Sequence, residues 1–410
     1  LALQENVGVR LSYKANVSGD MTANTEADTS TIPGTGSAQQ LRRVTSTLAL
    51  TKDSYQSQEI RTSRQVSDMR HGTKRVAGEI SGELSPATYW DFIEAVCRGT
   101  EVAEISKSNS EFTSLTADNA TSKLTVGGST WAAQGFQVGD VIRCATLSEA
   151  LNNSRNFQIY ALDDVDAFVF PAPTDMGADT SFTVVRSGKK VSMPSSGHVK
   201  RLFTFEHYHS DIDVTELFTE CRAHRLTFGL PATGLATIGV GITGRGKTTL
   251  SAGDSPYFSN PTAANTNGIA AAVNGRVMFQ NEAVGVITGI ELTVDTAVDA
   301  PAVVGQDFVP EIFLGRSVVT GTLTALFENS DFLSAFEEET EVEILLMLTT
   351  TSAADSPFIA ITLPRVKFSA ANLPLQGEAG LPISLPFQAL EQATSTGLLA
   401  SSVGFQDSES

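Results

Sequence analysis

The chain repeats itself, and this constrains its fold more than any other feature. VTSTLALTKD at residues 44–53 aligns with VITGIELTVD at 286–295, an offset of 242. Val44/Val286, Leu50/Leu292, Thr51/Thr293 and Asp53/Asp295 are identical pairs. HGTKRVAGEISGEL at 71–84 then aligns with LGRSVVTGTLTALF at 314–327, an offset of 243, pairing Gly72 with Gly315, Val76 with Val319 and Gly78 with Gly321. Further on, RAHRLTFGLPATG at 222–234 matches RVKFSAANLPLQG at 365–377 at an offset of only 143. Arg222/Arg365, Leu230/Leu373, Pro231/Pro374 and Gly234/Gly377 coincide there. The first copy therefore holds about 100 residues that the second lacks, roughly 101–200. At about 150 residues per domain, 410 residues suit two copies and one guest.

Both copies read as β. Short alternating runs rich in Val, Ile, Thr and Phe recur at 44–51, 76–84, 202–208, 235–242, 286–295, 318–327, 342–349 and 381–387. Two segments read as helices. Residues 85–98 have Ser85 as N-cap and Pro86 at the first helical position, with Tyr89, Phe92, Ile93 and Val96 on one apolar face. Residues 330–339 have Ser330 as cap, with Phe332, Leu333 and Phe336 inward. Segments 15–40 and 250–275, rich in Ser, Thr, Gly, Asn and Ala, read as long loops or arms. Within the insertion, residues 114–187 suit a five- or six-stranded barrel entered through Gly135-Phe136-x-Val138-Gly139-Asp140-Val141. The expected domains are 1–106 with 190–250, an inserted 107–189, and 251–410.

The charge is uneven. Residues 251–410 carry four basic and 19 acidic residues, so -15 of the net -18 lies in the last third. An acidic chain of this kind does not grip nucleic acid by counterion release. No apolar run reaches the roughly 18 residues of a membrane span. LALQENVGVRLSYK lacks the basic-then-apolar pattern of a secretory signal, so an unexported chain is expected. Cys97, Cys144 and Cys221 are too few and too scattered for a disulfide framework or a zinc site.

Candidate chemistry is thin. Gly241-x-x-x-x-Gly246-Lys247-Thr248 matches a phosphate-binding loop, but that motif needs a helix straight after the lysine. SAGDSPYFSNPT follows instead and reads as linker. On a strand, His207, His209, Asp211 and Asp213 would share one face and could in principle bind a transition metal; an edge strand turning into a loop is the preferred reading. There is no G-x-S-x-G, and Cys97 and Cys221 read as core. No catalytic, cofactor or metal residue is assigned.

The repeat resembles the major tail tube proteins of long-tailed, siphovirus-like bacteriophages. VTSTLALTKD, then Ser57-Gln58-Glu59-Ile60, Arg64-Gln65-Val66-Ser67-Asp68 and the run from Val76 to Pro86 carry the likeness, with Phe203–Glu206, Asp211-Ile212 and LPATGLATIGVGITG behind them. The second copy has GIELTVD, Gly315-Arg316-x-Val318-Val319-x-Gly321-x-Leu323 and Leu363-Pro364-Arg365, but GQDFVPEIF in place of the Arg-Gln-x-x-Asp stretch. The Gly-Phe-x-Val-Gly-Asp-Val insert is similar to the family's decorating domain.

The resemblance implies a mainly β fold: two tube-like β-sandwich or barrel domains, each with one flanking helix, plus a small inserted β-barrel domain on the tube exterior. Six such units per ring would make a trimer with pseudo-sixfold symmetry. Neighbouring sheets would join into an inner barrel, closed by a heterologous interface that leaves no edge exposed. Long loops at 52–70 and 294–314, with the N-terminal arm, would bridge rings; Glu59, Arg61, Arg64, Asp68, Asp307 and Glu311 are the candidates. Glu291, Asp295, Glu328, Glu341 and Glu343 are candidates for an acidic lumen that repels phosphate while double-stranded DNA passes during ejection. Implied partners are the chain itself, a tape measure protein, and tail-tip and terminator proteins. The implied location is the virion tail, assembled in the host cytoplasm, without enzymatic activity or cofactor. The competing classes are an NTP-binding enzyme using Lys247, and a secreted β-rich adhesin or carbohydrate-binding module.

Overall fold

The computed structural model describes residues 4–16, 19–21, 32–328, 331–371, 373 and 380–409. The strands that carry the argument are β1 (Val9–Ala15), β2 (Ala49–Gln56), β3 (Met69–Glu83), β4 (Lys189–Ser192), β5 (Phe203–His209), β6 (Val214–Pro231), β7 (Thr237–Gly244) and β8 (Gly246–Ser251). They continue with β9 (Gly275–Phe279), β10 (Ile287–Asp299), β11 (Phe313–Leu326), β12 (Val342–Thr349), β13 (Phe358–Phe368), β14 (Pro382–Ala389) and β15 (Gly404–Asp407). The helices are α1 (Trp90–Cys97) and α2 (Asp331–Glu337).

The same pairing order appears in each half. In the first it runs β2, β3, β7 and the C-terminal half of β6. In the second it runs β10, β11, β14 and the end of β13. The register repeats in detail: Val76 pairs with Gly244, and Val319 with Ala389. Gly78 and Gly321 repeat for a steric reason. A Cβ at Gly78 would lie 2.6 Å from the Thr47 carbonyl, and one at Gly321 2.3 Å from the Glu291 carbonyl.

The two four-stranded units form one sheet. Arg225–Pro231 of β6 pairs antiparallel with Gly289–Asp295 of β10, residue for residue. Alternation puts Leu226, Phe228 and Leu230 on the buried side of β6, and Ile290, Leu292 and Val294 on the buried side of β10. All six belong to a single hydrophobic core that spans both halves. The joint thus combines a main-chain ladder with continuous apolar burial.

A backing layer covers each unit. Behind the first lie β1, β5, the N-terminal half of β6, and β8. Behind the second lie β9, β12, the first part of β13, β15 and β4. β6 and β13 are long because each serves both layers. β6 changes layer where Glu220 adopts a φ of 51° and the register shifts between Ala223 and Arg225.

α1 packs on this core. Phe92 stacks among Tyr13, Phe203 and Phe205 with ring centroids 4.8–5.8 Å away. The expected apolar face is buried, but the helix begins at Trp90 rather than Ser85. Residues 86–88 form a turn with Ala87 at a φ of 62°, and the Ala87 amide donates to Asp407 at 2.7 Å. Backbone demand at that turn overrides the capping signal. α2 is shorter than 330–339 at its C-terminal end, and Ser330 lies outside the described residues.

The insertion forms its own sheet of eight short strands between Ile105 and Arg186, more than the five or six expected, around its own core. It docks on the second half. Gln406 of β15 accepts from the Val141 amide at 2.8 Å and donates to the carbonyls of Val141 (2.9 Å) and Ser187 (2.8 Å). Lys190 and Asp140 form a buried ion pair at 2.5 Å beside it.

Arg245 follows β7 and is fully buried against Glu220, 2.8 Å away at the bend of β6. Removing one partner of such a pair costs about 3–5 kcal/mol, because the other charge stays in a low-dielectric site. Arg245→Ala is expected to destabilise the chain by about this amount in denaturant unfolding.

Candidate assembly surfaces

The joined sheet has one covered and one open face. On the open face the fully paired strands present mainly hydroxyls: Thr51, Ser81, Thr227, Thr293, Thr320 and Thr322 are examples. In the first half this face carries Asp53, Glu79 and Glu83 against Arg75 and Arg225. In the second half, between Ile287 and Asp295, along Val318–Leu326 and on β14, it carries Glu291 and Asp295 with no cation. Both arginines are paired: Arg225 with Asp295 across the joint at 2.7 Å, and Arg75 with Asp53 at 3.8 Å. Among the described residues Glu79, Glu83 and Glu291 have no cationic partner within salt-bridge distance. Glu79 and Glu291 flank a trough of about 470 Å³ floored by Gly229 and Gly239.

The five lumen candidates therefore separate. Glu291 and Asp295 lie on the open face. Glu328 follows β11 and lines a pocket with Phe279, Gln280 and Phe332. Glu341 accepts two hydrogen bonds from Arg365 at 2.6 Å, which hold its carboxyl below the usual range. Glu343 on β12 belongs to the backing layer, and burial pushes its carboxyl up to about 8. Glu79 and Glu83 were not among the candidates, although Ile80 and Leu84 between and after them already mark the opposite, buried face.

The two long loops differ. After β10, residues 307–312 fold back onto the first half. The Lys74 amide donates to the Asp307 carbonyl at 2.7 Å, and the Lys74 and Asp307 side chains pair at 3.3 Å. Arg245 Nε donates to the Val309 carbonyl at 2.8 Å, and Glu311 pairs with Arg222 at 2.6 Å. Val309 and Ile312 are buried with Met21 and Leu202. The loop after β2 stands clear of the protein: Ile60, Val66 and Met69 are exposed. Glu59 pairs with Arg61 and Asp68 with Arg70, each at 2.8 Å; Arg64 has a φ of 55° in the turn.

The remaining motifs are structural. Lys247 and Thr248 lie on β8, a strand, where a phosphate-binding loop requires the start of a helix. Lys247 bonds to Glu216. His207 and His209 both face Glu216, at 3.8 and 3.7 Å, while Asp211 and Asp213 lie beyond β5 in the following turn. Among the described residues no group of three or more His, Cys, Asp or Glu is placed to hold a metal. The strand ends at His209, so the four side chains do not share one face.

A long open sheet face and projecting loops suit a protein that works by assembly. The chain belongs to the phage tail tube protein family, whose model matches residues 10–389. This is a structural, non-enzymatic family, and the chain is a component of the virion tail. No curated protein matches the chain. No helix among the described residues is long and apolar enough to cross a membrane.

Glu343 provides a pH test. Its folded pKa exceeds that of the unfolded chain, so folding retains a proton, and stability falls as pH rises from about 4.5 to about 8. Glu343→Gln is expected to match the parent at pH 4 and exceed it by on the order of 1–3 kcal/mol at pH 9, measured by denaturant unfolding.

Proposed function

We propose that three chains close into a ring with pseudo-sixfold symmetry, and that stacked rings form the tail tube through which double-stranded DNA is ejected. The observation that carries this reading is the joint between β6 and β10. It supplies, within one chain, a working pattern for a contact between chains. β2 carries the residues of β10 in the equivalent place, and among the described residues it is paired only with β3 and exposes its other edge. At the far end of the sheet, Lys367 and Phe368 of β13 pair only with β14 among the described residues. An edge at each end is an unfinished contact, and a heterologous contact repeated by rotation closes into a ring.

The open face would then line the lumen. Phosphates passing it would meet hydroxyls, carboxylates, two arginines already held by aspartates, Lys367 held by Glu341 at the far strand, and Arg316 beside Val318, a surface on which most cations are already engaged. Residues 1–106 with 190–250 and residues 251–410 would be the two tube domains, and residues 107–189 the exterior decoration. The exposed loop tips, at Ile60 and Val304, would meet the next ring, with Glu59 and Arg61 beside the first. A tape measure protein inside the tube, and tail-tip and terminator proteins at its ends, complete the assembly in the host cytoplasm.

Native mass spectrometry of the purified chain tests the ring. The expected species is three times the 43.4 kDa chain mass, alone or in multiples. A monomer at all concentrations, or a ring of six chains, contradicts it.

A further inference from the structure

The folded-back loop after β10 occupies a definite seat on the first half. It runs along the free edge of β3 at Lys74, just where β7 ends and Arg245 begins. The repeated register locates the same place on the second half: Lys74 corresponds to Ser317, Gly244 to Ala389, and Arg245 to Leu390. That place is an open cavity of about 460 Å³, lined by Ser317, Val318, Ala389 and Leu390 together with Arg98 and Arg316. One half of the molecule thus has its seat filled, and the other has it empty.

The loop after β2 has the features of the missing occupant. At the offset of 243, Val309-Pro310-Glu311-Ile312 corresponds to Val66-Ser67-Asp68-Met69. Val309 and Ile312 are 1 % and 0 % exposed in their seat, whereas Val66 and Met69 are 64 % and 51 % exposed. The acid is kept as well: Glu311 meets Arg222, and Asp68 would meet a cavity containing Arg98 and Arg316. At one position the loop charge changes sign, and the cation it faced gives way to a neutral serine with a carboxylate nearby. Asp307 faces Lys74, while its counterpart Arg64 would enter a cavity lined by Ser317 and Glu391. This change of charge favours each loop in its own seat.

We propose that residues 64–69 of one chain fill the cavity beside Ser317 and Leu390 of the neighbouring chain in the same ring. The inference rests on the ring reading above and adds a lateral contact to it, leaving only the loop tips for stacking. The occupant is a second copy of this chain, because the first and second halves already display the contact complete.

Lys74 and Phe308 are bridge partners, so the equivalent pair between chains is Gln65 and Ser317. Neighbouring strands bring such residues within about 5 Å, inside the range a disulfide spans. The native cysteines are buried. In isolated rings oxidised under mild conditions, Gln65→Cys/Ser317→Cys is expected to run as covalent trimers on a non-reducing denaturing gel, with each single variant running as monomer. Intact rings that stay monomeric on the gel overturn the inference while leaving the ring standing. So do cross-links that appear only after rings stack, which would make the loop a stacking element. Val66→Asp is the second test, and it decides if the double variant does not assemble. It is expected to raise the chain concentration for half-assembly at least roughly tenfold, since it removes one buried valine per contact. An unchanged concentration overturns the inference. If the unmodified chain forms no ring, the ring reading falls first and this inference with it.

Discussion

The rest of the molecule depends on the main-chain ladder between Arg225–Pro231 and Gly289–Asp295. Without it the two halves would each expose a long strand edge, and an exposed edge is a template for uncontrolled pairing. With it, apolar residues from both halves join one core, and the open faces merge into one surface. The ladder also fixes where the loop after β10 reaches. It is brought to the end of β7, where Arg245 and Arg222 hold it. A main-chain contact of this kind places few demands on particular side chains, which is why the two halves can keep the contact pattern with few identical residues.

The repeated strand pairing was legible in the sequence because strand sterics recur at fixed positions. Gly78 and Gly321 are conserved between halves since each lies against a neighbouring backbone. The separate eight-stranded sheet lies where the offset changes from 243 to 143. Other features were not legible in the sequence. The long strands β6 and β13 bend between layers, so their burial pattern changes along their length and gives no single period. α1 lost its first turn to a contact between Ala87 and Asp407, residues 320 positions apart, which no local capping rule detects.

The candidate surface was only partly legible. Acidic runs in the last third point to Glu341 and Glu343, but Glu341 precedes β12 and is held by Arg365 and Lys367 of β13, and Glu343 on β12 is driven toward its neutral form in the backing layer. Position within the two-residue strand period is the better guide to the open face: it selects Glu79, Glu83 and Glu291. The open face is therefore mostly hydroxyl with sparse negative charge, and most of the acidic excess lies elsewhere on the molecule. In the proposed tube such a face would give passing phosphate few cations that are not already engaged.

The most direct measurement is a cryo-electron microscopy reconstruction of the assembled tube at a resolution that separates strands. The account predicts three chains per ring and a continuous inner sheet, with the stagger between chains equal to that between β6 and β10, and the hydroxyl-rich face inward. Six chains per ring, a gap in the sheet at the chain boundary, or the hydroxyl-rich face turned outward would contradict it.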